Sequence, residues 1–95
     1  MEIKQIMQEI HQNNIQKGFW EDKETKNVGE VLMLCVSELS EAFTIYVKDT
    51  FEDEIADTVI RLFDLCSGFG IDLEWHIQQK MNFNKLRPYK HGKVY

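Results

Sequence analysis

The chain has one proline, Pro88, and only five glycines, so little in it breaks a helix. No stretch alternates as a half-buried strand would, and there is no internal repeat or low-complexity segment. Cysteine is scarce: Cys35 and Cys66 stand alone in apolar runs, without C-x-x-C spacing. They read as small buried hydrophobes in a reducing compartment, with a structural disulfide as the lesser reading. No apolar run reaches membrane-spanning length without charges, and Met1-Glu2-Ile3-Lys4 opens an amphipathic pattern rather than a secretory leader. Acid is missing after Glu74: all sixteen Asp and Glu lie up to that point with six Lys or Arg, and five bases follow from Lys80 onward. An acidic body with a short basic end, net −5, lacks the basic face of a nucleic-acid binder. A soluble, cytoplasmic protein that binds neither nucleic acid nor membrane is expected.

What the chain does have is helical periodicity. Residues 2–17 set Ile3, Ile6, Met7 and Ile10 on one side, and Gly18 closes this helix. Phe19-Trp20 then opens a polar link through Asn27, the aromatic pair reading first as a hydrophobic plug and second as a stacking surface. Asn27 with Glu30 makes a capping-box start for a second helix, whose Val31, Leu32, Cys35, Val36, Leu39, Phe43 and Tyr46 point inward or toward a partner. Lys48-Asp49-Thr50 interrupts the pattern, and Thr50 is placed to cap a third helix with apolar face Ile55, Val59, Leu62, Phe63 and Cys66. Asp72 caps a fourth, carrying Trp75 or His76, Ile77 and Met81, which Pro88 ends. The expectation is an all-α, four-helix bundle forming a single domain over residues 1–95. A chain this short buries only about 60–65% of its unfolded surface, whereas 43% of it is hydrophobic. The surplus apolar helix surface implies a homo-oligomer.

Two carboxylate pairs stand out, Glu38-x-x-Glu41 and Glu54-x-x-Asp57, with twelve residues between them. Residues three apart on a helix share a face, so each pair is a two-pronged fork. An isolated fork is most simply a solvated surface. Here the first one lies in the apolar run VLMLCVSELSEAFTIYV, with no other charge between Glu30 and Lys48, and the second follows at hairpin spacing. Four carboxylates facing one another need a positive charge between them. All-oxygen donors without histidine favour Mg²⁺, with Mn²⁺ as substitute, over zinc or iron, and such an ion suits hydrolysis of a phosphate anhydride.

The forks, followed by Lys80-x-x-x-Asn84-x-x-Arg87 in an all-helical chain of this length, resemble the MazG-like nucleotide pyrophosphohydrolases of the all-α nucleoside-triphosphate pyrophosphatase superfamily. The resemblance runs from His11 to Arg87. It implies hydrolysis of a nucleoside triphosphate between the α and β phosphates, giving a monophosphate and pyrophosphate. It also implies that Glu38, Glu41, Glu54 and Asp57 hold the metal, one of them also orienting the attacking water. Lys80 and Arg87 would take phosphate oxygens, Asn84 would position phosphate or sugar, and Trp20 with His11 would border the base. Homodimers or homotetramers whose subunits complete one another's sites are further implied.

Plainer readings stand beside these. Lys80 and Arg87 also fit solvated side chains, Asn84 a helix C-cap and His11 a satisfied histidine beside an apolar face. Asp64 is expected at the surface, and Arg61 is expected to pair with Asp57. Two other functions stay open: a phosphoribosyl-ATP pyrophosphohydrolase-like enzyme, and a non-catalytic helical module that binds metal or nucleotide.

Overall fold

The computed structural model describes residues 2–44 and 51–89. Among them are α1 (Ile3–Gln16), a 3-10 turn (Lys23–Thr25), α2 (Val28–Thr44), α3 (Phe51–Gly68) and α4 (Leu73–Lys85), with no strand. The fold is all-helical with four helices, as expected. Thr50, the Lys48–Thr50 interruption, Tyr46 and the tail beyond Tyr89 lie outside the described residues.

Local chemistry sets the helix ends. Helix α1 stops in a Schellman motif: the Phe19 N–H donates to Asn14 O at 3.1 Å, the Gly18 N–H to Ile15 O at 3.1 Å, and Gly18 takes φ +89°. Helix α3 ends the same way, with Ile71 N–H on Cys66 O at 2.9 Å, Gly70 N–H on Ser67 O at 3.2 Å, and Gly70 at φ +67°. A left-handed residue is costly with a Cβ, which is why glycine stands at both stops. Helix α2 begins with the Glu30 N–H donating to Asn27 Oδ1 at 2.9 Å, and α4 with the Trp75 N–H donating to Asp72 Oδ1 at 3.0 Å.

Helix α3 is the centre of the arrangement, packing on both α1 and α2, while α4 touches α1 near its start. Lys4 Nζ lies 3.7 Å from Asp72 Oδ2 at that contact. Glu41 approaches Glu54 while Glu38 meets Arg61, so α2 and α3 run antiparallel.

The packing stripes follow the expected ones in part: Val31 and Cys35 turn inward, and Phe63 and Cys66 are half-buried. On α2 the inward stripe is Val31, Cys35, Glu38 and Ala42, one residue off the bulkier set Leu32, Val36, Leu39 and Phe43. Phe43 is 82% exposed and Met33 64%. On α3, Ile55, Val59 and Leu62 are exposed too, while Thr58, Asp64 and Leu65 are buried and Phe63 and Cys66 half-buried. A helix clamped between two others must turn inward the residues on the lines of contact. On α3 those lines carry Glu54, Thr58, Arg61 and Leu65. Helix α4 buries no residue; of its expected face only Ile77 is half-buried, Trp75 and Met81 being exposed. Among the described residues the buried apolar set is Met7, Cys35, Ala42 and Leu65. The radius of gyration, 15.7 Å, exceeds the roughly 12 Å of a compact domain of this length.

Asp64 is the main correction: it is buried, not at the surface. His11 Nδ1 lies 2.8 Å from its Oδ1, and Trp20 Nε1–H donates to both carboxylate oxygens at 3.0 Å. An ionised carboxylate only accepts, so His11 presents its Nδ1–H. Trp20 thus fills the plug role. Its ring meets His11 edge-on at 5.0 Å and Phe69 at 5.9 Å, and lies so close over Gly68 that a Cβ there would enter the ring. Gly68→Ala must expel Trp20 or bend α3, and should cost about 1–3 kcal/mol in denaturant unfolding; unchanged stability would mean that the ring is not seated there. Asp64→Ala should cost about 2 kcal/mol by the same measurement, because it strands two half-buried donors.

Candidate functional site

The polar stripes of α2 and α3 bring three carboxylates together. One oxygen each from Glu38, Glu41 and Glu54 lies within 4.8 Å of the others. Glu41 is exposed, whereas Glu38 and Glu54 are half-buried. Glu54 Oε2 is shut off from solvent and has no hydrogen-bond partner among the described residues. Crowding perturbs the acids in opposite directions. A hydrogen bond shared with Glu38, then desolvation and the Glu41 carboxylate, pushes the Glu54 carboxyl up to about 7. That shared hydrogen bond, helped by the Arg61 guanidinium and opposed by partial burial, holds Glu38 below the usual range.

Arg61 does not pair with Asp57, as spacing along one helix led us to expect. It reaches across to α2, placing Nη2 3.2 Å and Nε 3.4 Å from Glu38 Oε1. The reason is its register: Glu54, Thr58 and Arg61 form one stripe facing α2, while Asp57 is exposed. Asp57 stands outside the three-carboxylate cluster, on the wall of a neighbouring cavity of about 490 Å³.

That cavity opens between the end of α1, the link and the α2–α3 hairpin. Phe19, Val31, Leu34 and Ile60 supply apolar wall, and Glu38, Arg61, Asp57 and Lys26 supply charge. Lys26 Nζ donates to Phe19 O at 2.9 Å and sits 4.3 Å over the Trp20 ring, tying the link to the cavity rim. A space of this size with mixed lining can hold a small organic anion.

The remaining sequence candidates are placed elsewhere. Trp20 and His11 do not line this cavity; the aromatic ring on its wall is Phe19, 62% exposed. His11 borders a second cavity of about 320 Å³, between α1 and the α3–α4 turn. Lys80, Asn84 and Arg87 also lie off the wall, Lys80 Nζ being 5.3 Å and Arg87 Cζ 5.6 Å from the Phe83 ring. Cys35 and Cys66 are free thiols, raised by burial.

No family model, curated protein or solved structure matches the chain.

The donor set itself is informative. Two oxygens on one Mg²⁺, each at about 2.1 Å, lie roughly 3–4 Å apart, so oxygens already within 4.8 Å need only small side-chain movements. The donors are hard and lack histidine or thiolate, and Glu54 Oε2 is an acceptor without a donor. Glu38, Glu41 and Glu54 fit a hard divalent cation.

Asp64 and Arg61 were the residues misjudged from sequence. A signal for Asp64 existed: it sits among Leu62, Phe63 and Leu65, an acid in an apolar run, as Glu38 is. For Arg61 the signal was its position seven residues after Glu54, on the same helix face.

The Glu54 shift has a sign that can be checked. Because the folded protein holds this proton from the ordinary carboxylate value near 4.5 up to about 7, the group stabilises at low pH. That stability is lost as pH rises through this window. Without divalent ions, the wild-type melting temperature should fall relative to that of Glu54→Gln between pH 5 and 7.5. Parallel curves would show that Glu54 titrates normally.

Proposed function

We propose that the chain is a divalent-metal-dependent, MazG-like nucleoside triphosphate pyrophosphohydrolase that cuts between the α and β phosphates. The observation that carries this reading is the convergence of Glu38, Glu41 and Glu54, with Glu54 Oε2 unpartnered, beside a cavity of about 490 Å³ that Glu38 also lines. Glu38, Glu41 and Glu54 would hold Mg²⁺, or Mn²⁺ in its place, and Asp57 joins them by the family resemblance. Such an ion, when bound, would supply charge neutralisation for the phosphates and would lower the pKa of a coordinated water. The chain's own part is to orient: one of the carboxylates accepts a hydrogen bond from the attacking water, and Phe19, Val31 and Leu34 offer an apolar seat for a base. Trp20 and His11 act at one remove, anchoring through Asp64 the link that carries Phe19.

Lys80, Asn84 and Arg87 lie off the cavity of their own chain, so their phosphate-binding role requires delivery by a second chain. The exposed apolar residues of α2 and α3 support a homodimer or homotetramer in which this occurs. No helix among the described residues is long and apolar enough to cross a membrane, and both thiols are free, in keeping with a cytoplasmic setting.

The same separation of Asp57 and of the Lys80–Arg87 segment from the cluster favours a second reading. In it the chain is a non-catalytic module that binds metal or nucleotide without turnover. Pyrophosphate release from a panel of ribo-, deoxyribo- and modified triphosphates, with phosphoribosyl-ATP included and Mg²⁺, Mn²⁺ or EDTA added, separates the readings. Metal-dependent release of pyrophosphate with a monophosphate product is expected, and Glu38→Ala or Glu54→Gln should lower it by at least about 100-fold. Turnover of phosphoribosyl-ATP alone would place the activity with that relative; metal and nucleotide binding without pyrophosphate would leave the module.

A further inference from the structure

Arg61 is a cation set among acids on the hairpin's inner stripe, and it occupies the carboxylate a divalent ion would need. Both of its hydrogen bonds fall on one oxygen, Glu38 Oε1, at 3.2 and 3.4 Å. A well-made Arg–carboxylate pair is shorter, about 2.7–2.9 Å, and uses two parallel bonds to two oxygens. The Arg61 side chain is also 39% exposed, against 17% for Glu38. A long, single-oxygen pair open to water is weak, so a stronger cation displaces it readily.

The displaced guanidinium has a place to go. Arg61 lines the 490 Å³ cavity together with Glu38, and its donors not engaged by Glu38 make no other hydrogen bond among the described residues. An arginine beside a bound divalent ion is repelled by it and is left seeking an anionic oxygen, and planar guanidinium suits phosphate oxygens. We propose that Arg61 is a displaceable internal counter-ion: it neutralises Glu38 until a divalent cation binds, then turns to the cavity and takes an oxyanion of the ligand. Cation and anion thereby bind with positive coupling, and Arg61 is the element that couples them. The inference rests on the metal site of the proposed function, but it does not require that the chain hydrolyse anything.

The test uses the full chain and two probes, Mn²⁺ alone and inorganic pyrophosphate, followed by titration calorimetry at constant ionic strength. Arg61→Met keeps the aliphatic stem and removes the charge; Arg61→Gln is the second variant, and melting curves check that each is folded. Both should bind Mn²⁺ about fivefold more tightly than the wild type, the competitor being gone. With Mn²⁺ saturating, both should bind pyrophosphate at least about tenfold more weakly. Equal or weaker Mn²⁺ binding by both variants, unchanged pyrophosphate affinity, or no Mn²⁺ binding by any of the proteins would overturn the inference. Both shifts without triphosphate hydrolysis would sink the proposed enzyme and leave Arg61's role standing; hydrolysis with neither shift would do the reverse.

Discussion

The buried Asp64 carboxylate accepts from His11 on α1 and from Trp20 on the link, and so ties both to α3. In most small domains an apolar core does this work. Here the buried apolar residues are four among those described, two of them as small as Cys35 and Ala42. An unpaired charge at that depth would cost several kcal/mol, so Asp64, His11 and Trp20 stand or fall together. Gly68 belongs to the same arrangement, since its missing Cβ is the space into which the Trp20 ring settles.

On its other flank α3 meets α2 through small and polar residues, not through the largest hydrophobic ones. Cys35 and Ala42 alternate with Glu38 along α2, opposite Glu54, Thr58 and Arg61. Short side chains let the helices approach, and that approach brings the three carboxylates within 4.8 Å. The acids are therefore part of how the hairpin packs, and their mutual repulsion is met locally: Glu54 retains a proton and Arg61 leans on Glu38. The bulky residues Leu32, Val36, Leu39 and Phe43 are left facing outward.

Several parts of this were legible in the sequence. The isolation of Glu38 and Glu41 within an apolar run, with Glu54 at hairpin spacing, was enough to expect that these acids meet. Trp20 was readable as a plug and His11 as a satisfied histidine, although neither reading named Asp64 as their common partner. Asp57 was grouped with Glu54 because residues three apart share a face, yet a face is broad and the contact line with α2 is narrow. Glu54 falls on that line and Asp57 on its edge, by the cavity. Arg61 was assigned to Asp57 by local spacing, and a partner on another helix won.

What the sequence by itself determined is local: where helices begin and stop. Asn27 with Glu30, Asp72 with Trp75, and the glycines at 18 and 70 act across five residues or fewer, so their chemistry is complete before the chain folds. Only the tertiary structure decided which stripe of α2 turned inward, because a helix apolar nearly all round offers more than one and the neighbour selects among them. It likewise decided the fate of Asp64, whose donors lie 53 and 44 residues away along the chain. A charge is buried or exposed according to what reaches it, and no spacing within α3 records that.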